Sequence, residues 1–178
     1  MKKKIRRAGI IGSVAAISIG SAAYADSITY TKGNAPDNGD HSVYIDPSVT
    51  GYRYSAVAHG IAQLDRVTTL NVHAGSSWTD VKAQIVDISP YAGLFTCVDH
   101  NWLPIYNCDH STASLNVNVP NSSAELGYLR ALWCHEIGHS GGIGERDLTS
   151  ITCMRNPATS GYQSLGTDEV NYLSSINF

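Results

Sequence analysis

Eleven residues, His135-Glu136-Ile137-Gly138-His139-Ser140-Gly141-Gly142-Ile143-Gly144-Glu145, restrict the fold and chemistry of this chain more than any other stretch. Two histidines four apart on a helix share one face and stand about 6 Å apart along its axis. Both Nε2 atoms can therefore converge on one zinc ion at about 2.0 to 2.1 Å. Glu136 then falls beside a metal-bound water as a general base. The Gly141-Gly142 pair can end the helix in a left-handed turn that only glycine adopts at little cost, reversing the chain so that Glu145 approaches the same ion. The bland alternative is an amphipathic helix with two solvated histidines. The glycine turn and the carboxylate beyond it favour a metal-dependent hydrolase.

The start of the chain fixes the compartment in which such a site would work. Residues 1–25 carry a basic start (Lys2, Lys3, Lys4, Arg6, Arg7), an apolar run from Ala8 to Gly20 and Ala23-Tyr24-Ala25 as an A-x-A cleavage site. This is the pattern of a bacterial-type secretory signal, with the mature chain beginning at Asp26. Its 13-residue apolar run is shorter than the roughly 20 residues that span a bilayer. The expected product is an extracellular protein without a membrane anchor. Removal of the signal takes five of twelve basic residues and none of fifteen acids, leaving seven against fifteen, a charge of −8. The remaining Lys and Arg are scattered, which disfavours nucleic acid as a partner, because phosphate neutralisation needs them clustered. Four cysteines in an exported chain point to two disulfides, and three pairings are possible. Cys97 with Cys108, and Cys134 with Cys153, are favoured; the second would tie the His135 helix to the segment carrying Met154.

The 153 residues of 26–178 suit one domain that buries about 68 to 70% of its unfolded surface. Residues 26–41 read as an extended N-terminal segment rich in Asp, Asn, Gly and Pro. Ser42 to Asp46 reads as a short strand. Between Gly51 and Val67, Tyr54, Val57, Ile61 and Leu64 form the apolar stripe of a helix. Thr69 to His73 and Ala83 to Ile88 read as strands, with a turn through Gly75-Ser76-Ser77. Ser114 to Val119 alternates, placing Leu115, Val117 and Val119 on one face. Ser122-x-x-Glu125 has capping-box spacing ahead of the helix through Leu126, Leu129 and Trp133 into His135. Thr167 with Asp168 and Glu169 starts a last helix. Strands and helices alternate and then give way to helices, so the expected class is α+β or α/β with one mixed sheet.

His135-Glu136-x-x-His139-x-x-Gly142-x-x-Glu145 followed by Cys153-Met154-Arg155-Asn156-Pro157 resembles the metzincin clan of zinc endopeptidases, more narrowly its small secreted matrixin-like and snapalysin-like members. The resemblance runs along most of the mature chain. It implies a mixed twisted sheet, a long helix, an active-site helix, Met154 in a methionine turn beneath the metal, and a C-terminal helix. The clan's third ligand is usually histidine, or aspartate in the snapalysin type, whereas this chain offers Glu145. Glutamate binds zinc acceptably at about 2.0 to 2.2 Å. Asp147 is a rival, as is Glu169 if the third ligand lies on a later helix. No tyrosine lies two residues after Met154, so oxyanion stabilisation would rest on zinc.

The expected activity is therefore zinc-dependent hydrolysis of protein or peptide substrates by a monomer, with Glu136 as the catalytic base. Two alternatives remain open: a non-catalytic extracellular zinc-binding or adhesion module, and a zinc amidase or esterase acting on small molecules. Asp99-His100 and Asp109-His110 flank the Cys97 to Cys108 loop and offer donors for an additional structural calcium or zinc. His41, His59 and His73 read as structural or solvated.

Overall fold

Strand-forming runs punctuated by Gly, Pro, Asn and Asp resolve into one sheet in the computed structural model, which describes residues 34–100 and 107–176. The expected secretory segment and its expected cleavage point lie outside the described residues, as does the first half of the expected extended N-terminal segment. The elements are β1 (Asp40–Ile45), α1 (Tyr52–Leu64), β2 (Asn71–Gly75), β3 (Val81–Val86), β4 (Gly93–His100), β5 (Cys108–Asn116), α2 (Leu126–Ser140) and α3 (Thr167–Ser174). The sheet runs β2-β1-β3-β5-β4. Its first four strands pair in parallel, and β4 is an antiparallel edge strand on β5. The class is a mixed α/β domain with a five-stranded mixed sheet and three helices, compatible with α+β.

The core lies between the sheet and the packed pair α1 and α2. Val43, Val81, Ala83, Ala113 and Leu115 from the strands meet Val57, Leu64, Leu129, Trp133 and Ile137 from the helices, all fully buried. Burying each of the Val, Leu and Ile side chains contributes about 1.5 to 3 kcal/mol. This double layer sets the position of α2, and α2 carries the two histidines.

Several sequence expectations are shifted or corrected. Strands β1, β2 and β3 occur, each displaced by about two residues from its expected span, as boundaries set by sheet pairing usually are. Tyr54 is exposed, so the buried stripe of α1 is Ala56, Val57, Gly60, Ile61 and Leu64. Strand β5 ends at Asn116, and Val117 lies half-exposed beyond it, so the alternation to Val119 is not one strand face. The Ser122 to Glu125 capping box does not form: Glu125 makes no side-chain cap bond, and its N–H donates to the Ser122 carbonyl at 3.2 Å. At α3 the expected start is present in modified form, because the Glu169 carboxylate reaches back to the N–H of Gly166 at 2.6 Å. Strand β4 had no counterpart in the sequence expectations. It is exposed along one face and half-buried along the other, so it lacks the apolar alternation of a core strand.

Both favoured disulfides are present. Cys97–Cys108 staples β4 to β5 with a Cα separation of 5.8 Å, and Cys134–Cys153 ties α2 to the following loop at 5.9 Å. Among the described residues no helix is long and apolar enough to cross a membrane.

Candidate metal centre

From Ala131 to Ser140 every residue of α2 is buried, its polar ones included. A helix buried all round over this stretch carries His135 and Glu136 inward to the floor of a cleft without an exposed polar stripe. It ends where Gly142 takes a φ of 85°, and the N–H groups of Gly141 and Gly142 bond back to the carbonyls of Gly138 and His139. That reversal brings Ile143 O within 2.7 Å of His139 Nδ1, while Cys153 O lies 2.8 Å from His135 Nδ1. Carbonyls only accept, so each Nδ1 carries the hydrogen and each Nε2 presents a lone pair.

The two Nε2 atoms stand 3.2 Å apart, and Oε1 of Glu145 lies 3.4 Å from one and 3.5 Å from the other. A tetrahedral zinc with bonds of about 2.0 to 2.1 Å separates its ligands by about 3.3 Å. The triangle matches that edge length on all three sides. Two lone pairs and a carboxylate this close repel one another unless a cation lies among them, so the donor set fits a divalent ion. An His-His-carboxylate set of this kind suits zinc.

Charge is distributed unequally over the two glutamates. Burial dominates at Glu136 and, aided by the Glu145 charge, pushes its carboxyl up to about 7 against the pull of the two imidazoles. Partial burial acts in the same direction on Glu145, but hydrogen bonds and charge from His135 and His139, when these carry a second proton on Nε2, overcome it and hold that carboxyl down at about 2; a cation among the three donors takes the place of those protons. The anionic partner of the imidazoles is thus Glu145, while Glu136 keeps a value suited to accepting and returning a proton near neutrality.

The other candidates fall in distinct places. Met154 is fully buried beneath α2, its Sδ packed where a side chain on Gly138 would stand. Asp147 turns away into its own loop, accepting from Thr149 N–H at 2.8 Å and from the Thr149 hydroxyl. Glu169 is fully enclosed and takes donors from Thr152 Oγ1 (2.8 Å), Gly166 N and Arg146 Nη1 (3.3 Å). It does not face the triangle. It anchors the residue next to Glu145, since Arg146 also bonds through its main chain to Met154 O and Asn156 N. Sequence inspection missed Arg146 in this role, because only the tertiary fold brings its partners to it.

Asp99, Asp109 and His110 form a second group whose donor atoms lie within 4.8 Å of one another, and all are exposed or half-exposed. His100 stands outside that group, against Cys97 Sγ at 3.3 Å. His41 is buried on Ser140 Oγ at 2.9 Å, His59 meets Gln163 O at 2.6 Å, and His73 pairs with Asp40 at the surface.

A cleft of about 500 Å³ opens onto the centre. Tyr91, Gly93 and Phe95 line one side, and Tyr128, Leu132 and Pro157 also line it, with His135, Glu136, His139 and Glu145 bordering the same space. No protein-family model matches the sequence, and no curated protein matches it.

Proposed function

We propose that the protein is a secreted, zinc-dependent endopeptidase of the metzincin kind. The observation that carries this is the triangle of His135 Nε2, His139 Nε2 and Glu145 Oε1 with sides of 3.2, 3.4 and 3.5 Å, opening on a cleft that also contains Glu136. The signal-like start and the two disulfides support export.

His135, His139 and Glu145 would hold the ion. When bound, zinc supplies Lewis acidity toward a carbonyl and lowers the pKa of a bound water from about 15.7 toward 7. Glu136 accepts the proton of the attacking water at its carboxylate and returns it to the leaving amine nitrogen as the tetrahedral intermediate collapses. His135 and His139 are kept in the required tautomer by Cys153 O and Ile143 O. Strand β4 is the last in the sheet and borders the cleft, so an extended peptide can add to it by main-chain hydrogen bonds.

The test uses the protein purified without residues 1–25. One zinc per chain by elemental analysis is expected, with cleavage of unfolded casein that a chelator abolishes and added zinc restores. Zinc binding with hydrolysis of small esters or amides but no polypeptide would replace the endopeptidase by a zinc esterase or amidase. Zinc binding with no hydrolysis at all would leave a binding module.

A further inference from the structure

Gly93 opens β4, and its backbone does not require glycine, since the left-handed glycines among the described residues are Gly51 and Gly142. The requirement is one of space. A Cβ on Gly93 would overlap Oε1 of Glu136 and stand 2.8 Å from its Cδ and 3.0 Å from its Cγ. Carbon atoms in van der Waals contact sit about 3.5 to 4.0 Å apart. The Glu136 carboxyl therefore occupies the place a side chain would take.

Neither backbone that flanks this niche shifts easily, so the Glu136 side chain is the part that must move. Gly93 is paired to the fully buried Leu115 of β5, and the preceding residues are pinned by Asn116 N–H to Ala92 O (2.9 Å) and Asn116 Nδ2 to Tyr91 O (3.0 Å). Opposite, Glu136 projects from a helix whose neighbouring histidines are each fixed through Nδ1 and whose Cys134 is bridged to Cys153. The three atoms nearest to a Cβ at 93 all belong to Glu136, and none belongs to His135, His139 or Glu145.

We infer that Gly93 is a positioning residue for Glu136: the side chain missing at the head of β4 creates the niche that holds the general base beside the metal triad. The inference rests on the proposed hydrolysis. Its consequence is a separation of base placement from metal binding, because a methyl group at 93 displaces the carboxyl and leaves the three donors untouched.

The test compares Gly93→Ala, Glu136→Asp and the double variant with the unaltered protein. For Gly93→Ala, zinc stoichiometry and thermal midpoint stay unchanged, KM moves by less than about threefold, and kcat falls by about 100-fold or more, the range a misplaced general base costs. The double variant is slowed by clearly less than the product of the two single losses, because Glu136→Asp has already withdrawn Oε1 and Cδ, the two atoms that a methyl at 93 meets most closely. A Gly93→Ala protein with normal kcat overturns the inference, as does a double variant slowed by the product of the two single losses. A crystal structure of Gly93→Ala gives a readout free of activity: the carboxyl is expected to leave the niche, and an unmoved carboxyl overturns the inference. If the unaltered protein binds zinc and cleaves nothing, the proposed function fails, and the crystal structure still decides the placement of Glu136.

Discussion

Two groups of donors in this molecule resemble each other on paper and differ in their physics. His135, His139 and Glu145 on one side, and Asp99, Asp109 and His110 on the other, each bring three donor atoms within 4.8 Å. The first group rises from a buried helix, with both imidazoles oriented by main-chain carbonyls at 2.8 and 2.7 Å. The second straddles the bulged end of the β4 and β5 pair, and its histidine already leans on Asp109 at 3.3 Å, half-exposed to water. A solvated cluster is stabilised by water and by its own internal pairs, so a cation gains little there. In the first group the imidazoles are buried and Glu145 half-exposed, and with each Nδ1 hydrogen committed to a main-chain carbonyl both Nε2 lone pairs aim at one point. Orientation by supporting hydrogen bonds, rather than proximity alone, separates a metal centre from a crowd of polar side chains.

That contrast can be broken or sharpened, from the largest effect to the smallest. Glu136→Gln removes the base and none of the donors. Peptidase activity is expected to fall by about 100- to 10,000-fold, the range a general base contributes, while zinc content is unchanged by elemental analysis. Full activity in that variant would remove Glu136 from the mechanism. Glu145→Ala deletes one corner of the triangle. Zinc affinity measured by chelator competition should drop by more than the roughly 10- to 100-fold that loss of a ligand's hydrogen-bond partner costs. Unchanged affinity would return attention to Asp147 and Glu169.

The third effect concerns the support behind the centre. Burial lowers His41 from 6.5 to about 4, with the Asp80 charge opposing only part of the shift. The unfolded chain therefore binds the extra proton first as pH falls. Stability is full above pH 6.5 and declines between 6.5 and 4 by about 3 kcal/mol, at about 1.36 kcal/mol per pH unit. Denaturant titrations across that window should show a slope that His41→Gln abolishes, and a slope of the same size in the variant would assign it to other groups. The smallest expected effect is none. Asp109→Ala is predicted to leave zinc stoichiometry at one per chain, and loss of an ion in that variant would show that the exposed cluster binds metal after all.

Much of the centre was legible because helix geometry is local. Four-residue spacing places His135 and His139 on one face whatever surrounds them, and Gly142 does adopt the left-handed turn that its position suggests. The choice among Glu145, Asp147 and Glu169 was legible only as a preference for Glu145, drawn from ligand spacing and the glycine reversal, since all three are carboxylates within reach along the chain. Arg146 explains why: its pairing with Glu169 and its main-chain bonds to Met154 and Asn156 unite segments that sequence separation conceals. Strand β4 was hidden for a different reason. An edge strand buries too little on either face to leave a period-two signature, so Gly93 and Phe95 entered the cleft unannounced.

The sequence alone determined the histidine pair, the glutamate between them and the reversing glycines, and it favoured the two cysteine pairings that form, because each depends on helix pitch, glycine's freedom or short loop closure. The tertiary structure decided which carboxylate completes the triangle, which one becomes a buried anchor, and how closely β4 presses on Glu136. These outcomes depend on hydrogen-bond partners and excluded volume supplied by segments distant along the chain, which no local pattern encodes.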